Sequence, residues 1–142
     1  MAAVLIHIAD VIDRIAATKA FRKVGGAADL AAAKNLRDLA PAAYVLPASS
    51  DAAGDLYTNE TSQIVSDTFT VYMVVRNVRD AHGAAALQML EPLRLKVMDA
   101  LIGWLPPNGF SEFQFRRGRI DAFDDQCVFW RDEYSASRLI EA

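Results

Sequence analysis

The sequence predicts an α+β fold: a single mixed or antiparallel β-sheet packed against two to three α-helices. Three observations carry this. Apolar residues repeat at helical spacing near the N-terminus and again after Ala84. The segment from Gln63 to Val78 alternates with the two-residue period of a strand. The residues after Pro107 read as two further strands joined by a short turn. No repeat, linker or low-complexity tract divides the chain, so residues 1–142 are expected to form one domain.

Val4 to Ala17 predicts an amphipathic helix, with Val4, Ile8, Val11, Ile12 and Ile15 on its apolar stripe and Asp10, Asp13 and Arg14 mostly off it. Phe21-Arg22-Lys23-Val24 reads as a short strand ended by Gly25-Gly26. Ala27 to Leu36 is rich in strong helix formers and predicts a short helix, broken by Pro41. Ala43-Tyr44-Val45-Leu46 reads as a buried strand closed by Pro47, followed by a small, polar surface loop from Ala48 to Glu60.

Within Gln63–Val78, odd positions carry Val65, Phe69, Val71, Met73 and Val75, and even positions carry Ser66, Thr68, Thr70, Tyr72 and Arg76. One face is expected in a core and the other against water or a neighbour. The run exceeds the usual roughly five or six residues and suits pairing with another subunit. Arg79 to Gly83 reads as a turn. Ala84 to Trp104 predicts the main helix, with Leu87, Leu90, Val97, Leu101 and Trp104 on one stripe. Pro92 is expected to kink or break it, and Gly103 with Pro106-Pro107 to stop it. Gly109 to Asp121 and Gln126 to Ile140 predict an antiparallel hairpin turning at Asp124-Asp125. Phe110, Phe113, Phe115 and Ile120 are its candidate buried residues on the first arm, and Val128, Trp130 and Tyr134 on the second.

Composition narrows the function classes. Hydrophobic residues make up 53% of the chain, against a usual fraction of roughly 45–50%, so a sizeable core is expected. The net charge is -3 and the pI about 5.3, without the basic balance of a nucleic-acid binder. The cluster Arg116, Arg117 and Arg119 is followed by Asp121, Asp124 and Asp125, which offset its field. The N-terminal apolar run lacks a basic leader and is interrupted by Asp10 and Asp13, so it reads as a helix of the mature protein. No stretch reaches the roughly 20 apolar residues of a membrane span. The lone Cys127 cannot form an intramolecular disulfide and reads as a packed thiol.

The residues that carry chemistry do not converge on a motif. His7 lies beside the first helix's apolar stripe, and His82 is remote from it in sequence, with no CxxC or HExxH. Asp80 and His82 share a turn and are weighed as an acid/base pair against a solvated turn next to a helix N-terminus. Asp124-Asp125 are adjacent on an extended strand and point to opposite faces, which favours a charged hairpin tip over paired catalytic carboxylates. Gly25-Gly26 lacks the Lys-Ser/Thr of a phosphate loop, and no GxSxG elbow occurs. Phe110, Phe113, Phe115, Phe129 and Trp130 interleave with Arg116, Arg117 and Arg119 in the manner of a stacking platform for single-stranded nucleic acid; core aromatics with solvated arginines account for the same pattern. The expectation is therefore no catalytic, cofactor-binding or metal site.

Five segments together resemble the tail terminator proteins of tailed phages, especially those of Mu-like contractile-tailed phages. They are the N-terminal helix leading to Phe21-Arg22-Lys23-Val24 and Gly26–Ala33; Pro41-Ala42-Ala43-Tyr44-Val45-Leu46-Pro47; Gln63-Ile64-Val65 leading to Phe69-Thr70-Val71 and Val75-Arg76-Asn77; Leu93-Arg94 with Ala100-Leu101-Ile102-Gly103-Trp104 and Pro106; and the closing Trp130 strand. The resemblance spans nearly the whole chain, as a single tail-terminator-like domain. It implies a virion protein of the tail or neck, assembled in the bacterial host cytoplasm, without catalytic residues or cofactors. Its implied partners are further copies of itself in a ring, commonly a homohexamer, the tail tube protein, the sheath protein in contractile tails, and head–tail connector or neck proteins, with no membrane and no sequence-specific nucleic acid. Such a ring stops tube polymerisation and offers the head-joining surface. Ala27, Ala28, Ala31 and Ala32 are candidates for ring closure, and Ala48–Glu60 and Asp121–Asp125 for contacts between rings. The alternatives are another neck, head-completion or tail-tube subunit, and, further off, a small enzyme with a cryptic carboxylate site.

Overall fold

The computed structural model describes residues 4–32, 39–55, 62–77, 84–124 and 126–141. In chain order the elements are α1 (Ile8–Ala16), β1 (Lys23–Gly25), α2 (Ala27–Ala32), β2 (Ala42–Asp55), β3 (Ser62–Arg76), α3 (Ala84–Leu101), β4 (Gln114–Asp124) and β5 (Cys127–Glu141). The strands form one mixed five-stranded sheet in the order β1-β2-β3-β5-β4. β1 runs parallel to β2, and every other neighbouring pair is antiparallel. This is the α+β architecture read from the sequence.

The spine of the sheet is the β3–β5 pair, in register from Ser62↔Glu141 to Arg76↔Cys127 without a slip. The odd residues of β3 and the even residues of β5 share one face. Val65, Phe69, Val71, Met73 and Val75 meet Val128, Tyr134 and Ala136 there, under α1 and α3. α1 contributes Val11 and Ile15, and α3 contributes Ala86, Leu90, Val97 and Leu101. Phe113 completes this core, stacked on Trp104 and tilted against Phe69 with ring centroids 5.7 and 5.9 Å apart.

Several expectations change in the folded chain. α1 starts at Ile8, with residues 4–7 outside any helix and His7 extended before it. Ile6 is buried in that non-helical stretch, and the carbonyls of Val4 and Leu5 accept hydrogen bonds from Arg138 and Asn108. Helix would forfeit these long-range anchors. β2 does not close at Pro47 but continues to Asp55, so residues 48–55 of the expected loop are strand; residues 56–60 lie outside the described residues. The β2–β3 ladder slips between Pro47 and Ser49, where a residue without an N–H is tolerated on a strand open on its outer side. The long, β-branched β3 imposes extended structure on a partner whose own composition says loop.

α3 runs unbroken through Pro92. Pro92 and Gln88 are both exposed, so the carbonyl freed by the missing N–H faces water. The buried stripe of α3 begins at Ala86, and Leu87 is 40% exposed, one position round from the expected stripe. α3 ends as expected at Gly103, whose φ of 82° favours glycine and whose N–H donates to the Phe113 carbonyl. Phe113 is buried, but Phe110, in the loop before β4, and Ile120, on the outermost strand β4, are about half exposed.

The second face of the sheet is not uniformly wet. Ala42, Tyr44, Tyr72 and Val74 form a smaller cluster against Leu30 of α2, Leu39, Leu46 and Phe129. Beyond that cluster the same face turns polar, with Ser49, Asp51, Ser66, Thr68, Arg116, Arg117 and Glu133 lining an open groove of about 460 Å³. Of α2 the described part ends at Ala32; residues 33–36 of the expected helix lie outside the described residues.

Candidate functional site

Strand parity forces two acidic side chains into the main core, and each meets an arginine there. Asp132 shares a face with Trp130 and Tyr134 and is fully buried. Arg94 of α3 grips it bidentately, Nε donating to Oδ2 at 2.9 Å and Nη2 to Oδ1 at 3.0 Å. The Trp130 indole N–H donates to the same Oδ1 at 2.8 Å, and the Arg94 guanidinium lies over the Trp130 ring, 4.6 Å from its centroid. Desolvated charge is tolerated because the carboxylate's acceptors are used and the guanidinium stacks on a π face. The cluster pins α3 to the β5–β4 end of the sheet.

Gly118 of β4 lies opposite Asp132 and leaves room for this cluster. A Cβ there would fall on the Asp132 carboxylate and lie 2.8 Å from Arg94 Nη2 and 3.2 Å from Trp130 Nε1. Gly118→Ala is therefore expected to destabilise the fold by roughly 1–3 kcal/mol, the usual cost of overpacking. A urea midpoint equal to wild type would contradict it.

The second pair is Asp67 with Arg138, Nε to Oδ2 at 2.8 Å, both side chains about nine-tenths buried. Ser50 of β2 also donates to Asp67, and Arg138 Nη1 donates to the Val4 carbonyl at 3.0 Å. One buried pair thus ties β2, β3, β5 and the N-terminal segment together.

On the opposite face, Tyr72 donates to Asp121 at 3.3 Å, Arg131 bonds the other oxygen of Asp121 at 2.9 Å, and the Arg131 guanidinium lies 5.2 Å from the Tyr72 centroid. Burial, then the Asp121 charge, pushes the Tyr72 hydroxyl up to about 12 from an ordinary 10. A raised folded value means stability fully present below pH 10 and lost as pH rises toward 12. Urea midpoints measured from pH 9 to 11.5 are expected to fall, with a shallower slope for Tyr72→Phe; parallel curves would refute the assignment.

The residues singled out in the sequence are dispersed. His7 is exposed just before α1. Asp80, His82 and Asp125 lie outside the described residues, and Asp124 ends β4 on the surface. Cys127 is buried at the start of β5. The five aromatics form no platform. Phe113 is in the main core, Phe129 packs beside Tyr72 on the other face, Trp130 lies under Arg94 of α3, and Phe110 is exposed. Arg117 bonds Glu133 and Arg116 bonds Ser135 on the sheet surface. At Gly25-Gly26 the helix N-terminus is served from within: Asp29 accepts from the Gly26 N–H at 2.8 Å. That bond, then Lys23, holds the Asp29 carboxyl below its ordinary range. Among the described residues, no three His, Cys, Asp or Glu are placed to hold a metal ion, and no helix is long and apolar enough to cross a membrane.

The buried pairs were missed in the sequence, although strand parity carried the signal. Asp67 falls among Val65, Phe69 and Val71, and Asp132 among Val128, Trp130 and Tyr134. A charge at an inward position calls for a partner.

The fold and its polar clusters define an α+β protein whose ionisable groups brace a long sheet. The sequence matches the family described as phage tail terminator protein over residues 1–142, and the chain belongs to that family, a component of the virion tail. No curated protein matches it. Its fold is similar to that of a chain in the solved structure of the virion of a native gene transfer agent particle, with a TM-score of 0.51 and 17% identity over 94% of this chain and 93% of that one.

Proposed function

We propose that the chain, as a single domain over residues 1–142, forms a closed ring, a homohexamer, that caps the tail tube. The full-length family match carries this reading. The ring seats on the last ring of the tube, ends polymerisation by presenting an unlike upper surface, and offers that surface to head–tail connector or neck proteins; a sheath ring is a further partner in a contractile tail. The function resides in surfaces and needs no catalysis or cofactor. The fold supports it with long strands that leave outer edges for neighbours.

Residues 48–55 support it as strand rather than as a loop between rings, so an inter-ring role passes to other surfaces. The apolar loop after α3 is one candidate: Ile102, Leu105 and Phe110 are each about half exposed, and Asn108 ties the loop to the N-terminal segment.

Two measurements test the proposal. Light scattering after size exclusion is expected to give a discrete oligomer. Added to polymerising tube protein, that oligomer is expected to shorten the tubes and appear at one end. Unlimited tubes formed by the chain alone would indicate a tube subunit instead, and unchanged tube lengths would reject capping.

A further inference from the structure

We infer that one copy adds to the next through two unlike sheet edges, β4 of one copy lying antiparallel along the outer half of β2 of a second copy. This rests on the ring reading above and names the surfaces that close the ring.

The sheet leaves both edges open among the described residues. β4 is the terminal strand, and every described residue of it but Phe115 is exposed. At the other end, β1 covers β2 only at Ala42–Tyr44, so among the described residues β2 beyond Tyr44 has no strand on its outer side. Strand direction fits. β2, β3, β5 and β4 alternate, so β4 runs opposite to β2. A neighbour in the same orientation therefore presents its β2 antiparallel to β4, and the ladder continues in its own sense. Each copy spends one edge of each kind. Such head-to-tail contacts close rings when the rotation allows.

The edges also match in length and charge. β4 is 11 residues long, comparable with the free part of β2. The first half of β4 carries exposed Arg116, Arg117 and Arg119, and Asp121 follows. The free part of β2 presents small, exposed Pro47, Ala48, Ser49 and Ser50, then exposed Asp51. Asp51 pairs with Ser66 and Arg117 with Glu133, which places both on the polar face of the sheet. Setting Arg117 of one copy opposite Asp51 of the next keeps both on that common face. It also runs the acidic end of β4 toward β1, where Lys23 stands. The charges and register slips on β4 discourage indiscriminate strand pairing and favour an edge of matching charge.

The test uses the full chain with cysteines placed on the two edges. Arg117→Cys and Asp51→Cys in one chain, oxidised in dilute solution, are expected to give a covalent ladder ending at the size of the native oligomer. Neither single variant is expected to cross-link, and wild type controls for Cys127. Charge reversal gives a second readout: Arg117→Glu is expected to weaken association at least tenfold, and adding Asp51→Arg to restore it, with far-ultraviolet dichroism confirming the fold. A wild-type oligomer that persists in Arg117→Glu and gives no ladder overturns this interface while leaving the ring standing. Dimers cross-linked by Arg119→Cys alone, the mark of two β4 strands paired about a two-fold axis, also overturn it. A wild type that stays monomeric at high concentration and with tube protein overturns both the interface and the ring.

Discussion

Replacing Asp132 by asparagine is expected to destabilise the protein by about 3 kcal/mol, the low end of the cost of breaking a buried ion pair from one side. Asp132 is wholly buried and accepts from two Arg94 nitrogens and the Trp130 indole. Asparagine keeps the shape but removes the charge and turns an NH₂ toward one of these donors. Arg94 is then left partly buried without its counter-charge. The loss corresponds to roughly 10 °C in Tm for a chain of this size. The double replacement Arg94→Met with Asp132→Leu is expected to recover much of it, because apolar residues of similar volume often substitute for a buried pair. Urea denaturation followed by tryptophan fluorescence checks both; a shift below 1 kcal/mol for Asp132→Asn would show that the carboxylate is not braced as described.

Phe113→Ala is expected to cost about 4 kcal/mol, as usual for truncating a core phenylalanine. The ring is buried between Trp104 and Phe69. The backbone of Phe113 also receives the chain as it leaves α3: its N–H donates to the Trp104 carbonyl at 2.9 Å, and its carbonyl accepts from Gly103 at 3.0 Å. Losing the ring leaves a cavity where α3 joins the sheet, and Trp104 emission is expected to shift to the red as water gains access. Phe110→Ala, three residues earlier and about half exposed, is the control and is expected to stay within roughly 0.5 kcal/mol of wild type. Equal effects at the two positions would contradict the burial assigned to Phe113.

These two residues also mark what sequence could and could not reveal. Phe113 was legible as core, from alternation alone, but so were Phe110 and Ile120, which the fold exposes. Alternation identifies which side chains share a face; it does not say how far that face is covered at the outermost strand or in the loop before it. Asp132 carried its signal in parity, yet its partner lies 38 positions away on another element, beyond the reach of any local pattern.

The sequence by itself determined the element order, the long β3, the β4–β5 hairpin and the stop at Gly103, because each follows from local periodicity or a local backbone preference. It also carried the family resemblance, which depends on the order of segments and not on their contacts. Only the tertiary structure decided that residues 48–55 are strand, that residues 4–7 are not helical, and that α3 passes through Pro92. In the first two cases another part of the chain supplied hydrogen-bond partners, and in the third the exposed face of the helix met water; short-range propensity counts neither. Among the described residues, the same long-range accounting leaves β4 and the outer half of β2 as the open edges of the sheet.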